Sequence, residues 1–159
     1  MKQKTLSKWM KIILIGAALC GLIVYAVVIP GIADEERTAY PEFEERYLPW
    51  LIFLLGTGIP CFAALVPAWL LAVSLGKDRA FTAANAKRLK LIFLLAAGDG
   101  AYFFAGNLLL LLLGMSHPGV FLASMMIVFA AIAIATAAAV LSHLIGKAAA
   151  LQEQADLTV

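Results

Sequence analysis

Apolar residues run almost unbroken over about residues 10–31, 47–75, 89–114 and 120–146. Each run matches or exceeds the ~18–20 apolar residues that carry a helix across the ~30 Å hydrocarbon core of a bilayer. Polar residues gather between them, in an acidic segment 32–46, a basic segment 76–88, a turn at 115–119 and a tail 147–159. Lipid offers no partner to a backbone N–H or C=O, so each run must satisfy its own hydrogen bonds. The pattern predicts an all-α polytopic membrane protein, a four-transmembrane-helix bundle forming a single membrane domain over 1–159.

Glycines, prolines and capping residues mark the boundaries. Pro30-Gly31 is read as the end of the first span. That run exceeds the ~7–15 apolar residues of a secretory signal, so it is read as retained. The alternative is a cleaved signal, for which Gly31-Ile32-Ala33 is a loose cleavage site. Within the acidic segment, Pro41 suits the first position of a short helix, with Glu42, Glu44 and Glu45 near its positive end. The second run contains Gly56, Gly58, Pro60 and Pro67. Each proline lacks a donor and crowds the carbonyl four residues earlier, at Gly56 and Ala63, so a kinked helix is expected. Gly76 is placed to end that helix, and Thr82, behind Phe81, to cap the next. Ser116-His117-Pro118-Gly119 reverses the chain. Small residues four apart, Ala17 with Gly21 and Ala131 with Ala135 and Ala139, permit close helix contact.

Composition supports this division. The chain is 64% hydrophobic and 14% charged, where a soluble domain carries roughly 25% charged residues. Ten of the twelve Lys and Arg residues lie in 1–11, 76–90 and 147–159; only Arg37 and Arg46 lie elsewhere. The acidic segment holds six carboxylates. The positive-inside rule then places the N-terminus, the C-terminus and the basic segment in the cytoplasm, and the acidic segment outside. The expected arrangement is a multi-pass membrane protein with both termini in the cytoplasm.

Candidate chemistry is sparse. Asp99 is the one carboxylate inside an apolar run, roughly 15 Å below the start of its span at 1.5 Å per residue. A charge there costs at least about 2.5–3.5 kcal/mol, so the side chain must face other helices, pair, or stay protonated. No Lys, Arg or His lies at its level. Asn107 and Thr136 complete the expected intramembrane polar site, and a neutral or water-linked carboxyl is expected. That site is read either as a proton, ion or ligand site, or as a polar clamp between helices. Gly98 and Gly100 would let another helix approach the Asp99 backbone. His117 and His143 are read as structural. Cys20 and Cys61 are read as small buried side chains, since no CxxC or Cys/His cluster accompanies them. No HExxH, GxSxG, phosphate-binding glycine loop or second intramembrane acid is present. The sequence therefore predicts a non-enzyme, with no metal, no cofactor and no direct contact with nucleic acid.

Two segments carry a resemblance. Phe81-Thr82-Ala83-Ala84-Asn85-Ala86-Lys87-Arg88-Leu89-Lys90 resembles a loop pattern of Phe, Ser/Thr, any residue, Glu, Asn, then Arg-Leu. The tail Leu151-Gln152-Glu153-Gln154-Ala155-Asp156-Leu157-Thr158-Val159 resembles a Gln/Glu-rich tail ending in Asp-Leu-Thr-Val or Ile. Both are similar to small bacterial four-helix membrane proteins of the domain-of-unknown-function family numbered 2975. Ala84 departs from the pattern, which usually has Glu there. Members are often encoded beside a short helix-turn-helix regulator, so the resemblance implies a membrane partner for such a regulator. On that reading the protein is a sensor or tether. Asn85, Lys87, Arg88, Leu151, Asp156 and Leu157 then form the partner-binding surface, beside the lipid bilayer; a homodimer belongs to the transporter alternative, since four spans make a thin pathway. The alternatives are a small transporter or channel component using Asp99, and an immunity or resistance protein whose acidic outer loop meets cationic peptides.

Overall fold

The computed structural model describes residues 3–39, 41 and 44–157, apart from the side chains of Glu36, Asp156 and Leu157. The chain forms α1 (Gln3–Ile23), one π-helical turn (Val24–Val28), α2 (Ile29–Ala39), α3 (Glu44–Gly76), α4 (Ala83–Leu112) and α5 (Pro118–Leu157). No strand occurs among the described residues. Four rods, Gln3–Ala39, Glu44–Gly76, Ala83–Leu112 and Pro118–Ala155, are long and apolar enough to cross a membrane.

The first rod does not stop at Pro30. Its π turn explains why. The Ile29 N–H reaches the Val24 carbonyl, five residues back rather than four. The widened turn lies just ahead of Pro30, whose ring would crowd the Ala26 carbonyl in a regular helix. The helix then continues through Asp34, Glu35 and Glu36 to Ala39, so much of the expected acidic loop is helical. In the same way α3 runs unbroken through Pro49, Pro60 and Pro67. In lipid the flanking backbone has no better partner than its own helix.

Packing follows chain order. The first rod lies on α3, α3 lies on α4, and α5 makes its extensive contact with α4. The α4–α5 seam is built from small residues. A Cβ on Gly100 would stand 3.1 Å from the Cβ of Ala131. Ala135 and Ala138 are buried, and Ser142 Oγ donates to the Ala86 carbonyl at 2.7 Å. The alanine ridge thus serves the close approach expected of it. The first rod differs. Gly21 meets the Phe62 ring, but Ala17 is exposed, and the inward line is Ser7, Leu14, Ala18, Gly21 and Tyr25.

The α3–α4 seam is aromatic. Phe53 stacks on Phe103 at 5.7 Å between centroids and tilts against Tyr102 at 5.4 Å, with Trp50 edge-on at 6.1 Å. Gly106 admits this cluster, since any Cβ there would fall inside the Phe53 ring. α4 ends in a Schellman motif. The Met115 N–H bonds to the Leu110 carbonyl and the Gly114 N–H to the Leu111 carbonyl, with Gly114 left-handed at φ 66°. His117 then caps α5, its Nδ1 accepting the Gly119 N–H at 3.0 Å, and Pro118 opens the helix. The large apolar side chains left outside, such as Leu122, Met126 and Phe129, suit a surface solvated by lipid.

Candidate functional site

Asp99 sits at the end of a short polar chain linking the first rod, α3 and α4. Cys61 Sγ donates to Asp99 Oδ2 at 3.4 Å. Tyr25, carried on the π turn, places its hydroxyl 2.7 Å from Thr57 Oγ1 and 3.9 Å from Cys61 Sγ. Thr57 Oγ1 in turn donates to the Leu54 carbonyl at 2.7 Å. A hydroxyl has one proton, so Thr57 accepts from Tyr25 while it donates to Leu54. Gly58 makes room for Tyr25, because a Cβ there would lie 3.1 Å from the ring. Asp99 Oδ1 is buried and has no partner. The carboxyl lines a cavity of about 410 Å³ between α3 and α4, walled by Gly56, Pro60, Leu94, Gly98 and Tyr102. Such an atom can hold a proton, a water or a small polar ligand.

The two other expected members of this site lie elsewhere. Asn107 is buried and donates to the Phe103 carbonyl one turn earlier at 2.8 Å, so it satisfies its own helix. Thr136 is exposed on α5. Cys61 takes the role expected of Thr136. It is not the small buried side chain expected from the sequence, and neither is Cys20; both are free and exposed. Gly100 receives α5 closely, whereas Gly98 has open space in front of it. Among the described residues no three His, Cys, Asp or Glu side chains come together as a metal site would require.

A second polar cluster closes the basic end. Thr82 caps α4 by accepting the Asn85 N–H. Asn85 is only 1% exposed. Its Nδ2 donates to Ser74 Oγ at 2.9 Å and to the carbonyls of Arg79 and Ala80 at 2.8 and 2.9 Å. Its Oδ1 accepts from Arg88 Nη1 at 2.7 Å, and that nitrogen also reaches the Leu70 carbonyl at 3.3 Å. Leu89 is buried behind them. The Phe-Thr…Asn…Arg-Leu pattern is therefore a latch that folds residues 77–82, including left-handed Asp78, onto the ends of α3 and α4. Ser7 adds the first rod by donating to the Ala72 carbonyl at 2.6 Å.

This corrects the expected partner surface. Asn85 is inaccessible, because its side chain is turned onto Ser74, the Arg79 and Ala80 carbonyls and Arg88. Arg88 is half-buried and turned inward, while Lys87 and Leu151 are exposed. The side chains of Asp156 and Leu157 lie outside the described residues.

Four membrane-length helices, with polar groups paired across their seams, define a polytopic α-helical membrane protein. The chain belongs to a family described as a protein of unknown function, DUF2975, whose pattern matches residues 31–159. It is 28% identical over 162 residues to the uncharacterized membrane protein YoaS of Bacillus subtilis (strain 168), with 99% of each chain covered. No solved structure matches it.

Proposed function

We propose that the protein is a non-enzymatic sensor or tether of the bacterial inner membrane, holding a helix-turn-helix regulator at the cytoplasmic face. One observation carries this reading. α5 has 40 residues, about 60 Å at 1.5 Å per residue, roughly twice the hydrocarbon core. Its last turns therefore stand clear of the membrane as a helix. There Leu151, 66% exposed, sits among Gln152, Glu153 and Gln154. An apolar anchor on a polar helical projection suits helix-in-groove docking. Exposed Lys87 adds charge at the same end, and the latch holds the loop as a firm base for the contact. Co-purification tests it. Deleting 147–159 is expected to abolish retention of a co-expressed regulator while the protein stays in the membrane fraction. Undiminished retention contradicts the reading.

A second reading is favoured by the unpartnered Asp99 Oδ1 in its cavity: a small transporter or channel component. Asp99→Asn keeps the acceptor for Cys61 but loses the titratable group. It is expected to abolish proton or ion flux in liposomes with helicity unchanged. Absence of flux from the unaltered protein rules this reading out.

A further inference from the structure

At the acidic end, α2, the start of α3 and the α4–α5 turn enclose a cavity of about 740 Å³. That volume lies within the range of small-molecule and cofactor sites. Its apolar side, the floor, is formed by Ile29, Ile32, Leu51, Leu54 and Val120. Its polar side, the rim, is formed by Arg37, Arg46, Tyr47, Trp50, Ser116 and His117. Trp50 fixes the far wall by donating to the Met115 carbonyl at 3.1 Å.

Among the described residues the charged groups of the rim are Arg37 and Arg46. Asp34, Glu35, Glu44 and Glu45 are exposed and line none of it. Arg37 lies over the Tyr47 ring at 5.5 Å and gives Nη2 to Glu44. A guanidinium has five N–H donors, so that pair leaves others for a second anion. Ser116 Oγ is buried with no partner. His117 Nδ1 accepts the Gly119 N–H, which leaves Nε2 as the donor of the neutral ring. Guanidiniums, an unused hydroxyl and an imidazole donor over an apolar floor match an oxyanion attached to a hydrocarbon chain.

We propose that this cavity binds an anionic phospholipid of the surrounding leaflet, its phosphate at Arg37, Arg46, Ser116 and His117 and the head of an acyl chain along the floor. Tyr47 and Trp50 place the rim at headgroup level. A cationic ligand is disfavoured by the arginines, and a free phosphate leaves the apolar floor unfilled. The site goes beyond the regulator reading and stands without it.

Trp50 reports on the cavity directly. Trp9→Phe with Trp69→Phe leaves it as the sole tryptophan. That protein is reconstituted in phosphatidylcholine bilayers containing a minor fraction of either chain-brominated phosphatidylglycerol or chain-brominated phosphatidylcholine. The anionic lipid is expected to quench Trp50 about fivefold more than the zwitterionic lipid at the same fraction. Adding Arg37→Gln and Arg46→Gln is expected to remove the difference. Equal quenching by the two lipids before any arginine is changed overturns the proposal, whether or not the arginine variants fold. So does a difference that survives in a folded arginine variant. Relief of quenching by added glycerol phosphate also overturns it, because it would assign the cavity to a soluble phosphate ester.

Discussion

Asn85 joins the end of α3, the loop before α4 and Arg88 through one side-chain amide, and Thr82 supplies only one cap to the same helix. The two side chains separate a latch from a cap. Asn85→Ala leaves the Ala80 carbonyl without its donor and removes one partner each from Ser74, Arg79 and Arg88, which keep the Ser74–Arg79 bond and the Arg88 contact with the Leu70 carbonyl. It is expected to cost about 2–4 kcal/mol in an unfolding titration. Thr82→Ala is expected to cost about 1 kcal/mol. Equal small losses would show that the latch is dispensable. The same residues show how far a site can be read from one chain. Thr82 behind Phe81 was legible as a helix start, but nothing in the order of residues says that the Asn85 amide turns back toward a loop. Asp99 was legible as an intramembrane carboxyl. Its partner was not, because Cys61 meets it, with Tyr25 and Thr57 behind, only once three helices are placed side by side. Matching depths would have helped: Cys61 lies midway along α3 as Asp99 does along α4.

At the scale of elements, apolar run length identified the rods, because lipid leaves the backbone no other choice. The misplaced boundary is instructive. Pro30-Gly31 carries a strong stop signal by soluble-protein rules, and the π turn at Val24–Val28 overrides it. Small residues were a reliable guide where a whole ridge of them exists, on α5, and a poor one where only Ala17 and Gly21 were available. The α4–α5 seam gives a direct test. Ala135 is 5% exposed against α4, while Ala133 faces outward. Ala135→Leu is expected to destabilise by about 1–3 kcal/mol through overpacking. Ala133→Leu is expected to fall within about 0.5 kcal/mol of the parent. Comparable thermal shifts for both would mean that α5 docks by a different face.

The whole molecule is polar along its long axis. One end gathers the α3–α4 latch, Ser7 and most of the lysines and arginines; the other holds the acidic turns and the larger cavity. The sensor or tether reading requires the first end to meet the cytoplasm and the second to meet the outside, with an even number of crossings between the termini. Cysteine labelling in intact cells tests this most directly. With Cys20→Ala and Cys61→Ala as background, Glu35→Cys is expected to react with a membrane-impermeant maleimide from outside, and Arg79→Cys only after the cells are permeabilised. Labelling of Arg79→Cys in intact cells, with Glu35→Cys protected, would contradict the account.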